Sequence, residues 1–367
     1  MKIIVFRSFK LQITTILVTF SSFFLYGFLG DSFFQPVYLG LMLSVLYILI
    51  SLEYTTISNS MIIYFLIGLS FLLLFFIQDI RGDLADGYLK GLGRIYIPML
   101  YFPLTVHLLK NEDEDILLKI INIFIKINII FYFIDFLSRF IYVFINMGFI
   151  SFQRFYAYKE NSFFYQDSNF IAVMILASIL FLRSLEHIYK TNYNKEKIIL
   201  FVLLFFTFSR AAIASYILLY FFKPKKYSFL EKLLLIILIL ILSYFLWLFF
   251  SEDGSLITKF EIIDFSIKVM FENINNFLFG VGTGNLKNIY IRASHNLIGL
   301  IAELGFIGTI IYAFNLWYIY KKIDIYFIYI FLPILISGLS MFPIAYLQPV
   351  YIMLAFIFLI KYKKTNW

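Results

Sequence analysis

Ser60-Met-Ile-Ile-Tyr-Phe-Leu-Ile-Gly-Leu-Ser-Phe-Leu-Leu-Leu-Phe-Phe-Ile-Gln78 runs without one Asp, Glu, Lys, Arg or His. At about 1.5 Å per residue, a helix of this length covers ~28 Å, close to the ~30 Å of hydrocarbon in a bilayer. Similar stretches lie near 11–29, 36–52, 94–109, 116–146, 169–188, 198–222, 229–250, 296–320, 323–342 and 345–361. The whole composition agrees: 62% of the 367 residues are hydrophobic and only 14% charged, where soluble domains carry about 25% charge. One aqueous core cannot hide that much apolar surface, so soluble enzymes, disordered chains and nucleic-acid-binding proteins are excluded. The expected fold is all-α, a single polytopic integral membrane domain over residues 1–367 with about 11–12 transmembrane helices. There is no Cys, which removes disulfides, thiol nucleophiles and thiolate metal sites. The first apolar stretch, Leu11 to Leu29, lacks a small-residue cleavage site, so no cleavable signal is expected.

The net charge of +8 reports topology first, because Lys and Arg collect in cytoplasmic loops. Lys2, Arg7 and Lys10 place the N-terminus in the cytoplasm. Successive crossings put Lys110, then Arg183 to Lys197, on that side, and Lys321, Lys322, Lys361, Lys363 and Lys364 end the chain there. Lys195 and Lys197 precede the segment 198–222, and Lys223, Lys225 and Lys226 follow it, so an even number of crossings must fit in 25 residues. Each arm around Ser209 and Arg210 has about 12 residues, ~18 Å of helix, too short to span alone. The segment is expected to be a helical hairpin or re-entrant pair with Arg210 at its tip, tolerable at depth only against protein or a water-filled cavity. Two long segments then face outside, 147–168 and 251–294. Within 116–146, Lys119, Asn122 and Lys126 form a polar stripe, so the start of that segment either lies along the cytoplasmic surface or crosses. The run Glu112-Asp-Glu-Asp115 reads as a solvated loop.

Candidate site residues collect on the outer side: Asp167 and Asn169 in Gln166-Asp-Ser-Asn169, Arg210 in Phe208-Ser-Arg-Ala-Ala212, and His295 after Gly280-Val-Gly-Thr-Gly-Asn285. A guanidinium at Arg210 suits bidentate capture of a phosphate; its structural alternative is snorkelling or pairing with a buried carboxylate. His295 opens the helix 296–320, where the dipole disfavours imidazolium and leaves a neutral ring able to accept a proton. Its alternative is an interfacial histidine that caps the helix. Lys259 and Arg292 add positive charge in the same loop, or are simply solvated. Leu256, Phe260, Ile263, Ile267 and Met270 recur at spacings of four and three, which predicts an amphipathic helix on the membrane face, packed there or acting as a lid. Gly280, Gly282 and Gly284 predict a tight turn bringing backbone close to the site; without a βαβ pattern around them they are no dinucleotide fingerprint. Glu303 lies on roughly the same helical face as His295, bonded within the bundle or catalytic. His107 and His187, at inner helix ends, read as structural. No outer pair of carboxylates has ligand spacing, so no metal and no cofactor are expected.

Phe279-Gly-Val-Gly-Thr-Gly-Asn285, followed by Ser294-His-Asn-Leu-Ile-Gly-Leu-Ile-Ala-Glu-Leu-Gly-Phe-Ile-Gly308, resembles the G-V-G-x-G-N and H-N-x(6)-E-L-G-x-I-G signature of the O-antigen polymerase and O-antigen ligase superfamily of bacterial inner-membrane glycosyltransferases. Phe208-Ser-Arg-Ala-Ala212 is similar to that family's S-R-[GA]-A element. Phe164-Tyr-Gln-Asp-Ser-Asn169 is similar to its F-x-x-D-P-N element, with Ser168 in place of Pro. The resemblance covers about residues 160 to 310. It implies a GT-C-like membrane fold and a periplasm-facing site in which Arg210 binds the diphosphate of an undecaprenyl-linked sugar chain and His295 serves as base. Lys259 stands where the family has a second basic residue, without the guanidinium fork, and Arg292 shares that role. Asp167, Asn169, Asn296 and Glu303 are implied to line the diphosphate or glycan site. The implied partners are lipid-linked oligosaccharides, membrane lipids and a chain-length regulator.

Polymerase and ligase share one chemistry, in which a sugar hydroxyl attacks an anomeric carbon while lipid diphosphate leaves. They differ in acceptor: another lipid-linked repeat unit, or lipid A core. A short chain rich in Phe, Ile and Tyr favours the polymerase. A lipid-linked oligosaccharide flippase would also have about twelve spans but predicts pseudo-symmetric halves, and the sequence shows none.

Overall fold

The computed structural model describes residues 2–25, 29, 35–51, 58–84, 87–147, 158–159, 162–165, 167–220, 254–290 and 296–365. Among the described residues every regular element is helical: α1 (Lys2–Phe20), α2 (Pro36–Ser51), α3 (Asn59–Ile80), α4 (Gly87–Leu109), α5 (Glu114–Met147), α6 (Ser168–Tyr189), α7 (Asn194–Phe205), α8 (Arg210–Tyr220), α9 (Gly254–Phe271), α10 (Ile274–Phe279), α11 (Leu286–Ile289), α12 (Leu297–Ile323), α13 (Ile325–Gly338), a 3-10 turn at Ile344–Tyr346, and α14 (Gln348–Thr365). The expected span 229–250, Lys223, Lys225, Lys226, Arg292 and His295 lie outside the described residues.

The helices Asn59–Ile80, Lys90–Leu109, Glu114–Asn146, Ser168–Tyr189 and Leu297–Ile323 are long and apolar enough to cross a membrane, and the protein is a polytopic helical membrane protein. Its apolar residues face both ways. Helix α3 buries Tyr64, Ile67, Phe71 and Leu74 yet exposes Phe65, Leu66, Leu73 and Phe76. Left in water, each such side chain forgoes about 1.5–3 kcal/mol; lipid removes that cost. Helices α6 and α14 are apolar all round and accordingly sit at the centre, with α14 buried from Gln348 to Ile360 except at Phe358. Helix α14 packs on α4 and α6, α1 on α2, α3 on α4, and α6 on α7 and α13.

Contacts from lysines to oxygens far away in sequence gather one end of the bundle. Lys10 pairs with Glu112 at 2.7 Å, Lys363 Nζ donates to the Glu112 carbonyl, Lys364 Nζ donates to Ile188 O, and Lys361 Nζ donates to Ile323 O at 3.2 Å. Lys10, the 110–113 turn, the end of α6, the α12–α13 junction and the end of α14 thus lie at one end of the bundle. His187 bonds the Tyr326 hydroxyl there at 2.8 Å. The solvated reading of Glu112-Asp-Glu-Asp115 is corrected at its first residue: Glu112 is buried because Lys10 neutralises it, while Asp113, Glu114 and Asp115 are exposed. Helix α5 is one helix of 34 residues, ~51 Å long, with Lys119, Asn122 and Lys126 exposed. Beyond Lys126 it still has ~32 Å, enough to cross.

The described part of the segment 198–222, residues 198–220, doubles back. Phe201 on α7 and Tyr216 on α8 have ring centroids 5.1 Å apart, where 15 residues of continuous helix would separate them by ~22 Å. The turn is Phe206–Ser209, and Arg210 opens the second arm.

Candidate functional site

Two of the singled-out sequence elements meet at the hairpin tip. Asp167 caps α6, its carboxylate accepting from Asn169 N at 2.7 Å, and the next residue, Ser168, donates its hydroxyl to Thr207 O at 2.9 Å. Thr207 Oγ1 accepts from Ser209 N at 3.3 Å and donates to Leu204 O at 2.6 Å. Between them Phe208 sits at φ 56°, a left-handed conformation that bulky residues rarely adopt. The strained turn leaves Arg210 exposed at the first position of α8. Five residues on, Ser215 Oγ lies 3.0 Å from Ser337 Oγ on α13. Ser340 N donates to Ser337 O at 3.0 Å, and Lys259 Nζ donates to Ser340 Oγ. Ser215, on the arm that Arg210 opens, and Lys259 therefore reach the same turn at the end of α13 from segments far apart in the chain.

The glycine signature forms a second feature. Helix α12 contains one non-helical residue, Gly305 at φ 66°, ψ −173°, which interrupts the i→i−4 ladder. Two carbonyls in the turn before it accept from outside: Ala302 O from Val281 N at 2.9 Å, and Glu303 O from Gln78 Nε2 at 2.9 Å. Gln78 Nε2 also donates to Phe279 O at 2.7 Å, while Gln78 Oε1 accepts from Thr283 N at 3.3 Å. A Cβ on Gly280 would stand 2.1 Å from Glu303 O, and one on Gly282 2.0 Å from Asp83 O. Gly284, at φ 78°, ends the turn. The turn expected here exists, and its closest approach among the described residues is to the backbone of Glu303 and Asp83.

Around this joint, Glu303 is buried and paired with Arg94 at 3.4 Å. Asn296 caps α12, accepting from Gly299 N at 2.6 Å, and its buried Nδ2 has no hydrogen-bond partner among the described residues. Arg81 pairs with Asp83 at 2.8 Å and donates to Asn275 O, Gly280 O and Asn276 Oδ1, fixing α10. Replacing Gln78 with Leu keeps the volume but strands buried carbonyls, at about 1–3 kcal/mol each. Gln78→Leu is expected to lower the melting temperature in detergent and speed proteolysis between 254 and 290; an unchanged thermal scan would contradict the role given to Gln78.

Helix α9 has three faces. Ile262 and Ser266 are buried, with Phe265 and Val269 packed beside Val281 and Leu286. Asp264 and Lys268 form a solvated ion pair at 2.5 Å. Phe260 and Ile267 are exposed. The predicted stripe through Leu256, Phe260, Ile263, Ile267 and Met270 is therefore not the face that packs on protein at Phe260 and Ile267, because a second apolar stripe takes that place.

Four features escaped the sequence reading: Gln78, the Arg81–Asp83 pair, Arg94, and a fully buried Asp135–Arg139 pair at 2.8 Å on α5. Opposite charges one turn apart inside an apolar span were the available signal. Among the described residues no three His, Cys, Asp or Glu side chains group as metal ligands. Compared with known proteins, the chain matches no family model, no curated protein and no solved structure.

Proposed function

We propose that this protein is an O-antigen or capsular polysaccharide polymerase of the bacterial inner membrane, joining undecaprenyl-diphosphate-linked oligosaccharide units at the periplasmic face, with both termini cytoplasmic. The observation that carries the reading is Arg210, held exposed at the tip of a hairpin that docks beside the Asp167 cap, with Lys259 bonded to the turn at the end of α13 that the same arm meets through Ser215. A guanidinium so placed can take a diphosphate bidentately, and fixed positive groups stabilise charge as it develops on a leaving group. The proton of the acceptor hydroxyl passes to His295, its oxygen bonds to the anomeric carbon, and the bond from that carbon to the diphosphate oxygen breaks. The lipid diphosphate leaves with the bonding electrons, against Arg210 and Lys259.

The test is purified protein with undecaprenyl-diphosphate oligosaccharide as sole substrate. A ladder of multiples is expected, and His295→Ala is expected to lose about 10²–10⁴-fold in rate while still binding substrate. Wild-type turnover in His295→Ala would overturn the base. Transfer only after lipid A core is added would make the protein a ligase, and the absence of any covalent product would point to transport.

A further inference from the structure

We infer that the buried pair Asp135–Arg139 on α5 is the latch that sets how Arg210 is presented, making the two a positioning pair for diphosphate capture; the second clause rests on the function proposed above. Arg139 Nε donates to Asp135 Oδ2 at 2.8 Å, and both residues are at most 1% exposed. The rest of the guanidinium serves backbone: Nη1 donates to Phe206 O at 3.1 Å and Tyr158 O at 3.4 Å. The other carboxylate oxygen, Asp135 Oδ1, accepts from Ser162 Oγ at 2.6 Å and Phe164 N at 3.5 Å. One ion pair thereby joins α5, Tyr158, Ser162, Phe164 and the turn of the hairpin.

The contact with the hairpin is specific to its turn. The last carbonyls of a helix have no intrahelical donor, and at the end of α7 two consecutive carbonyls find one elsewhere: Phe206 O from Arg139 and Thr207 O from Ser168. Held at these two points, the chain passes through the strained Phe208 and delivers Arg210 four residues after the Arg139 contact. Two buried charges cost desolvation, and an apolar pair of similar volume often stabilises as well or better. Their use here is geometric, since the planar fork serves a carboxylate and two carbonyls together where an ammonium offers only a point charge.

The native chain has no Cys, so a nitroxide on Ala211→Cys in the full-length protein reports tip mobility without background. Arg139→Lys is expected to make that label more mobile. It is also expected to raise the substrate concentration for half-maximal ladder formation about 10- to 100-fold, the usual consequence of a displaced binding group. Added to Arg210→Lys, it should cost no more than about twofold further, because both act on one contact. Ser162→Ala, which removes one bond to Asp135 and the acceptor of Tyr165 N but leaves the ion pair, supplies a milder variant with the same direction should Arg139→Lys fail to fold. An unchanged label spectrum in a folded variant overturns the latch, whatever the protein catalyses. A mobile label with fully additive losses overturns the action through Arg210. Should the native protein make no ladder, the proposed function fails, and the label spectrum decides the latch on its own.

Discussion

Arg210→Ala is expected to abolish polymer ladders while the protein inserts, purifies and melts as the native chain does. The two halves of this expectation have separate causes. Arg210 is exposed at the first position of α8, the turn before it is held by Thr207, Ser168 and Arg139 through backbone groups, and Ala is the best helix former. Folding therefore has little to lose. Transfer has much to lose, because a diphosphate leaving group gathers charge as its bond to the sugar breaks. Removing one fixed donor from such a site typically costs about 10²–10³-fold in rate. Arg210→Lys should fall between, keeping the charge and losing the fork. The check is ladder length in cells lacking the native gene together with the rate on purified protein. Native ladders from Arg210→Ala would remove the proposed role, and loss of membrane insertion would show that Arg210 is structural.

The hairpin around Arg210 was legible because charge and length disagreed: lysines on both sides of 25 residues demanded two crossings that neither arm could make. Five of the expected spans were legible for a similar reason, since hydrocarbon thickness imposes a length that no soluble core does. What stayed hidden shares one property, dependence on partners far away in sequence. Gln78 bonds the chain at 279, 283 and 303, and nothing local distinguishes it from any polar residue at the end of a span. Lys10 buries Glu112 across 102 positions, so an acidic run that looks solvated contributes one residue to the interior. On α9 the difficulty was different. In lipid, hydrophobicity does not separate the face that meets protein from the face that meets acyl chains, and a helix with two apolar stripes gives no rule for choosing between them. The Asp135–Arg139 pair was readable at its spacing, but only the fold puts Phe206 O beside it.

Gly305→Ala is expected to be among the most damaging single methyl additions at the described glycines. Gly305 lies at φ 66°, ψ −173° and Gly280 at φ 80°, ψ 173°, a region that essentially only glycine occupies and that costs other residues about 1–3 kcal/mol. The lack of space weighs more heavily still. A Cβ on Gly305 would stand 2.2 Å from Gly280 N and 2.6 Å from Phe279 C, and backbone atoms cannot rotate away as a side chain could. The two chains must part, and the bonds that close the joint go with them: Val281 N to Ala302 O, and Gln78 Nε2 to Glu303 O and Phe279 O. With each buried group left unpaired at about 1–3 kcal/mol, the expected loss exceeds about 3 kcal/mol, read as a large fall in melting temperature and early proteolytic cleavage between 254 and 290. Gly280→Ala should do the same through the reciprocal contact, and the double variant should fall short of the sum because one contact is broken twice. The alternative outcome is informative too. If Ala at 305 straightens α12, Ala302 O regains a helical donor and the melting temperature holds, but the turn from Gly280 to Asn285 is released from the helix that Asn296 caps. Ladder formation would then vanish with stability intact, assigning the kink to the placement of His295 rather than to the fold.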